Sequence, residues 1–187
     1  MKIVKLHEYP NLVSKCCSIL NTEWPRSEAA RMQSLEKSND NFPISLLLLQ
    51  DRDGNSIDSC DVVGHVKLNR ELGDIIFIES LVIRPEFRNR GLGRYFMDQV
   101  EKFLETLGFR EIRLTTTDKV EFYQKLGYKI VPGQVVPASS RSFKISLNHE
   151  QENRDQTTFS SPAPPPLPPS VSFGSSGFIK TLMAKHI

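Results

Sequence analysis

The stretch RNRGLG, residues 88–93, constrains the fold of this chain more than any other feature of its sequence. An apolar run, IIFIESLVI, precedes it, and a segment with apolar residues at helical spacing, RYFMDQVEKFLETLG, follows it. The glycines permit a tight turn, and the helix start offers unpaired N–H groups and a positive dipole end. With Arg88, Arg90 and Arg94 nearby, the turn predicts a pyrophosphate site. The alternative is a glycine-rich helix start with solvated arginines.

The segments around this turn predict a mixed α and β architecture. Three runs with strand character, residues 43–51, 61–72 and 74–83, are joined by polar turns and predict an antiparallel meander. Helical spacing predicts two helices before the meander, and a short helix over DKVEFYQKLGY near the chain's middle. Because the strands before the glycines are antiparallel and G-x-G-x-x-G is absent there, a Rossmann dinucleotide site is excluded.

Composition limits the partners and the compartment. The chain has 187 residues, of which 39% are hydrophobic and 25% charged, as in an ordinary globular protein. Its net charge of +2 does not indicate nucleic acid, and its longest apolar run, ISLLLLQ, is too short to cross a bilayer. Three cysteines, two of them adjacent, argue against a disulfide framework, and no zinc spacing is present. We expect a cytoplasmic protein with no nucleic-acid or membrane partner, no signal peptide and no metal.

Two stretches resemble a known family. ESLVIRPEFRNRGLGRYFMDQVEKFLETLGF resembles the acetyl-CoA motif of the GNAT N-acetyltransferases, and LTTTDKVEFYQKLGY resembles the strand and helix that follow that motif in the family. The resemblance implies an α/β (α+β) fold, with a mixed, mostly antiparallel central sheet of about seven strands and about four flanking helices. It also implies acetyl-CoA as the co-substrate.

The family fold ends in two neighbouring strands, which YKIV and TLMAKHI match. Between them, residues 133–177 are rich in proline, serine, glycine and charge, with a local strand possible over RSFKISL. We therefore predict one acetyltransferase domain of residues 1–132 and 178–187, with residues 133–177 as an insertion between its last two strands. A long loop is tolerable there because closure entropy grows slowly with loop length.

The resemblance also assigns roles around the cofactor. Cofactor contacts fall on Leu81, Val82, Ile83, Arg88, Asn89, Arg90, Gly91, Leu92, Gly93, Arg94 and Lys119. Residues 81–83 would pair with pantetheine like an added strand, and residues 89–94 would surround the pyrophosphate. Tyr123 matches the family tyrosine near the sulfur of coenzyme A, the candidate general acid, with a core aromatic as the alternative.

The general base has two candidates on the strands. Some family members carry a glutamate on the fifth strand, where this chain reads RLTTT and has no carboxylate. Glu79 on the fourth strand and His65 on the third are the candidates, each with a buried hydrogen-bonded role or a surface position as the alternative. A water relay is a third route, because an α-amine has an ordinary pKa of about 8.

Cations near the first helix corner predict an acidic substrate. Arg26 and Arg31 lie in NTEWPRSEAARMQSLE, and Lys67 and Arg113 lie on strands, although scattered surface cations would give the same pattern. WPRS, the H-x-K pair and the proline-rich stretch resemble the branch of the family that acetylates the acidic N-terminus of processed actin. This implies substrate contacts by Trp24, Arg26, Arg31, Met32, Gln33, Ser34, His65 and Lys67.

The proline tract suggests a partner, and the predicted fold allows other functions. Prolines in residues 162–169 predict binding of profilin or another polyproline-binding protein, which would bring actin to the enzyme. The same fold could instead acetylate lysine side chains or small-molecule amines. A third alternative is an inactive adaptor that binds partners through its proline-rich segment.

Overall fold

One seven-stranded sheet organises the chain, with strand order β1-β2-β3-β4-β5-β7-β6. The structure is a computed structural model that describes residues 1–51, 57–136 and 180–187. The strands are β1 (Lys2–Lys5), β2 (Ile44–Gln50), β3 (Asp61–Arg70), β4 (Ile75–Ile83), β5 (Glu111–Thr116), β6 (Lys129–Val136) and β7 (Lys180–His186). The helices are α1 (Val13–Glu23), α2 (Glu28–Leu35), α3 (Leu92–Thr106) and α4 (Val120–Gln124). The predicted mixed, mostly antiparallel sheet with about four helices is confirmed.

The pairing of β4 with β5 creates the crevice of the molecule. These two strands are parallel, whereas the other neighbouring pairs are antiparallel. They pair only over residues 75–78 and 111–114, although β4 continues to Ile83. Beyond residue 78 the two strands therefore separate, and their carboxyl ends border an open space, the position where ligands of open sheets bind.

Helices cover both faces of the sheet. On one face, α3 buries Phe96, Met97, Val100 and Leu104 against the strands, in the helical spacing that its sequence predicts. Leu107, which the spacing also places in this stripe, is 49% exposed because the helix ends at Thr106. On the other face α1 and α2 pack with Cys16, Cys17 and Leu35 buried, and the Ser27 Oγ caps α2 by accepting from the Ala30 N–H.

The last two strands lie side by side at the far end of the sheet. β7 pairs with β5 on one side and with β6 on the other, so TLMAKHI is an internal strand of the sheet. β6 runs to Val136, four positions beyond the predicted boundary at Pro132. RSFKISL and the proline tract at 162–169 fall outside the described residues, so the division into a domain and an insertion remains a prediction. Within the described ranges, no helix is both long and apolar enough to span a membrane.

Candidate active site

Two adjoining cavities occupy the space between β4 and β5. The first, here called the loop cavity, has a volume of about 480 Å³. It is lined by Glu23, Leu81, Val82, Ile83, Arg88, Asn89, Gly91, Leu92, Gly93, Arg94, Lys119, Phe122 and Tyr123. The second, here called the sheet cleft, has a volume of about 380 Å³. It is lined by Glu23, Trp24, Arg31, Phe77, Ile78, Glu79, Ser80, Leu81, Leu114, Thr115, Thr116, Thr117, Asp118, Lys119, Tyr123 and Lys180.

The start of α3 lines the loop cavity with groups that suit an anion. Asn89 and Gly91 adopt left-handed backbone conformations, with φ of 59° and 76°, and Gly91 is the residue before the helix. This turn brings the unpaired N–H groups of the first turn of α3 to the cavity wall, beside the cations Arg88, Arg94 and Lys119. Backbone donors and cations in one wall match the chemistry of a pyrophosphate group.

Gly93 lets the start of α3 lie close to α4 at the edge of this cavity. A Cβ atom at Gly93 would lie 3.3 Å from Cζ of Phe122, because the start of α3 lies against α4. The residues therefore suit the adenosine diphosphate and pantetheine parts of acetyl-CoA. Of the predicted cofactor residues, Arg90 does not line the cavity; its guanidinium lies 5.7 Å from the ring centroid of Phe87. Phe122 and Glu23 line the cavity but were not predicted, and only their position beside Tyr123 and Trp24 could have suggested them.

A bulge in β4 shapes the wall shared by both cavities. Ser80 has a φ of 57°, and the register of β3 against β4 shifts between His65 and Lys67. His65 Nδ1 lies 3.1 Å from the Ser80 carbonyl oxygen, and since a carbonyl only accepts, Nδ1 carries the proton. Burial lowers the pKa of His65 to about 4, so the ring is neutral. His65 lies beneath the cleft and does not line it, a placement that favours a positioning role.

Tyr123 lies where the two cavities meet. Its ring packs at 5.0 Å from Phe122 and 5.7 Å from Tyr128, in edge-to-face contacts. Burial, with the nearby charge of Asp118, raises the pKa of Tyr123 to about 12. The phenol is therefore protonated at neutral pH, which is the state that a proton donor needs.

Arg31 is the principal cation of the sheet cleft. Its side chain is 9% exposed; Nε donates to the Asn21 Oδ1 at 3.1 Å and Nη2 donates to the Trp24 carbonyl. Burial lowers the pKa of Arg31, and the positive charge of Arg26 acts in the same direction. Both of these partners are neutral, and within the described ranges no carboxylate forms an ion pair with Arg31. The guanidinium is thus a nearly buried charge without a directly paired carboxylate, although Glu79 lines the same cleft and its charge opposes the lowering of the pKa.

Two of the other predicted cations, Lys67 and Arg113, are already paired with carboxylates, and Arg26 does not line the cleft. Lys67 Nζ lies 3.3 Å from Glu79 Oε2, which also accepts from Asn69 Nδ2 at 3.2 Å. Arg113 Nε lies 2.6 Å from Glu111 Oε1, and its Nη1 lies 3.8 Å from Glu71 Oε2. These pairs leave Arg31 as the predicted cation best placed to meet an acidic ligand.

Only some of the residues that were predicted to contact the substrate line the cleft. Trp24, Arg31 and the candidate base Glu79 line it, whereas Arg26, Met32, Gln33, Ser34, His65 and Lys67 do not. Asn21, which orients Arg31, was missed, because a polar residue on a helix gives no signal of a distant partner. No group of three or more potential metal ligands occurs in residues 1–51, 57–136 and 180–187.

Known proteins share both sequence and fold with this chain. The sequence model of the acetyltransferase (GNAT) family matches residues 13–128. N-alpha-acetyltransferase 80 of Mus musculus is 40% identical over 123 residues, which are 65% of this chain and 39% of the mouse protein. The chain thus spans well under half the length of this relative.

Solved structures share the fold at low sequence identity. An aminoglycoside 6'-acetyltransferase type Ii aligns with a TM-score of 0.65 and 20% identity, covering 100% of this chain and 97% of that one. An aminoglycoside 6'-N-acetyltransferase complexed with coenzyme A aligns with a TM-score of 0.63 and 20% identity, with the same coverage of 100% and 97%. At this identity the likeness extends to the fold alone.

Proposed function

The chain belongs to the GNAT acetyltransferase family, and from that premise we propose that it transfers an acetyl group from acetyl-CoA to the α-amine of an acidic protein N-terminus. The loop cavity holds the cofactor, and the sheet cleft receives the peptide. Processed actin is the proposed substrate, on the strength of the WPRS corner and the H-x-K pair. The name of the mouse relative, an N-alpha-acetyltransferase, supports the choice of an α-amine.

The environment of Arg31 is the single observation that supports an acidic substrate. A nearly buried guanidinium that hydrogen-bonds only neutral groups gains from a ligand that brings a carboxylate into direct contact with it. Its site opens into the same cleft that reaches Tyr123. An aspartate or glutamate side chain at the start of the peptide would supply that charge through charge-assisted hydrogen bonds.

Different residues of the chain then have different roles in the reaction. Bound acetyl-CoA supplies an acetyl group activated as a thioester. The backbone of residues 81–83, which is unpaired on the β5 side, is available to hold and polarise a ligand carbonyl. Tyr123 holds a proton on its hydroxyl oxygen for the leaving sulfur, and Glu79 is the predicted carboxylate on β4 that faces the cleft.

The binding partner and the cellular location are proposed from the sequence alone. Residues 162–169 would bind profilin or another polyproline-binding protein and so bring actin to the cleft. A cytoplasmic location is consistent with that partner.

Peptide acetylation tests the proposed function. The protein is incubated with acetyl-CoA and with peptides that begin Asp-Asp, Ala-Ala or Lys-Lys, and product masses are measured. We expect the acidic peptide to have the highest kcat/KM. Arg31→Gln should lower that value about 30-fold, since a charged hydrogen bond contributes about 2 kcal/mol. The Ala-Ala value should change much less. Equal rates on all three peptides contradict the acidic specificity, and acetylation of internal lysines alone contradicts the choice of an α-amine.

A further inference from the structure

Glu23, at the end of α1, lies where the loop cavity and the sheet cleft meet. Among the residues that the structure describes, four line both cavities: Glu23, Leu81, Lys119 and Tyr123. In the proposed function the reacting atoms meet at this junction, because the cofactor comes from one cavity and the peptide from the other. Of the four, Leu81 is apolar, Lys119 is a cation and Tyr123 is a phenol, so Glu23 alone brings a carboxylate.

The carboxylate of Glu23 is held in place by the cofactor loop. Its Oε2 accepts from Arg88 Nη2 at 2.6 Å, and Arg88 Nε in turn donates to the Ile83 carbonyl at 2.8 Å. Arg88 is thus fixed to the end of β4 and fixes one oxygen of Glu23. In the described part of the chain Oε1 accepts no hydrogen bond, and the side chain is 33% exposed. One oxygen is therefore oriented by the protein while the other can accept from a ligand.

Glu79 is differently placed. It lines the sheet cleft but not the loop cavity, and its Oε2 already meets an ammonium and an amide, those of Lys67 and Asn69. A carboxylate that serves two protein donors is suited to holding those side chains in place. Glu23 has one such donor and the more central position.

We propose that Glu23 binds the α-ammonium group of the substrate and accepts its proton. One N–H bond breaks, the proton passes to Glu23 Oε1, and the electron pair stays on nitrogen as the lone pair of a neutral amine. Glu23 becomes a carboxylic acid and afterwards returns the proton to water. The proposal rests on the proposed function, and it supplies from α1 the base that β5 does not carry.

Peptide binding gives the first test. Isothermal titration calorimetry, with coenzyme A present, compares a peptide that begins Asp-Asp with the same peptide acetylated at its N-terminus. We expect Glu23→Gln to weaken binding of the free-amine peptide about tenfold, the effect of losing one ammonium–carboxylate contact, and to leave the acetylated peptide unchanged. Equal weakening of both peptides, or weaker binding of coenzyme A itself, would mean that Glu23 only supports the cofactor loop, and would overturn the proposal.

The pH profile gives the second test. Glu23→Gln should lower kcat/KM about 100-fold at pH 7. The loss should shrink as pH rises through the amine's pKa of about 8, where the substrate needs no base. Glu86→Gln is the matched control, since Glu86 forms a similar pair with Arg84 at 2.7 Å and lines neither cavity; it should keep wild-type activity.

The remaining outcomes separate the two proposals. A loss in Glu23→Gln that is constant from pH 7 to 9.5 overturns the role of base, as does a pH-dependent loss found only in Glu79→Gln. A wild-type protein that acetylates no peptide α-amine overturns the proposed function together with this inference. A wild-type protein that is active and a Glu23→Gln protein that equals it overturn this inference alone.

Discussion

Tyr123 combines a fixed ring with a hydroxyl that keeps its proton. Because its pKa is about 12, the acid form persists across the working range, and no alkaline loss of activity below pH 10 should come from this group. We expect Tyr123→Phe to lower kcat about 100-fold with little change in the peptide KM, measured by product mass. Tyr128→Phe is the control, because Tyr128 is buried nearby but lines neither cavity. A Tyr123→Phe enzyme with wild-type kcat would remove Tyr123 as the acid.

His65 should make the fold sensitive to acid. Its pKa is about 4 when folded and 6.5 ordinarily, so the folded state binds fewer protons than the unfolded state between these values. The stability that neutral His65 provides is complete above pH 6.5 and is lost as pH falls to 4, on the order of 3 kcal/mol.

His65→Asn tests this titration. The Asn amide can still donate to the Ser80 carbonyl but does not titrate. The variant should therefore lose less stability than the wild type between pH 6.5 and 4, measured by urea unfolding. Parallel pH curves for the two proteins would show that His65 does not titrate in this window.

At the scale of elements, the close approach of α3 to α4 defines the loop cavity. The backbone of Gly93 is helical, so a substitution there acts through space and not through strain. We expect Gly93→Val to push against the Phe122 ring and to weaken binding of coenzyme A about tenfold, measured by calorimetry. Adding Phe122→Leu should restore part of the affinity, because it makes room for the new side chain. An unchanged affinity in Gly93→Val would show that this contact does not shape the cavity.

Elements with a strong local signal could be predicted, and long-range contacts could not. The glycines of RNRGLG indicated the turn, and the apolar residues at helical spacing after it indicated α3, since both signals come from neighbours in sequence. The pairing of Lys67 with Glu79, the support of Arg31 by Asn21 and the position of Glu23 depend on which strands and helices meet. The local sequence does not encode these long-range contacts. The prediction therefore overestimated the number of cations that face the cleft, and it missed Glu23.

For the whole molecule, the register of β6 against β7 allows a decisive deletion. Val136 pairs directly with Lys180 in an antiparallel ladder. Replacing residues 137–179 with Asn-Gly would join the two strands as a two-residue hairpin. If those residues are an insertion, the shortened protein should melt within about 5 °C of the wild type and bind coenzyme A equally well. It should lose any binding to profilin, and an unfolded product would contradict the predicted domain division.

The place of β7 between β5 and β6 has a consequence for how the chain reaches its native state. The pairs that β7 forms with β5 and β6 join residues distant in sequence, so the ends of a long chain segment must meet before these pairs form. Topologies dominated by such contacts fold slowly, with strand edges exposed in the meantime. In the described part of the chain β6 pairs with β7 and not with β5, so β6 joins the sheet through β7. We therefore expect the pairing of β7 with β5 and β6, and not the meander, to be the slow step of folding, during which the protein is most prone to aggregate.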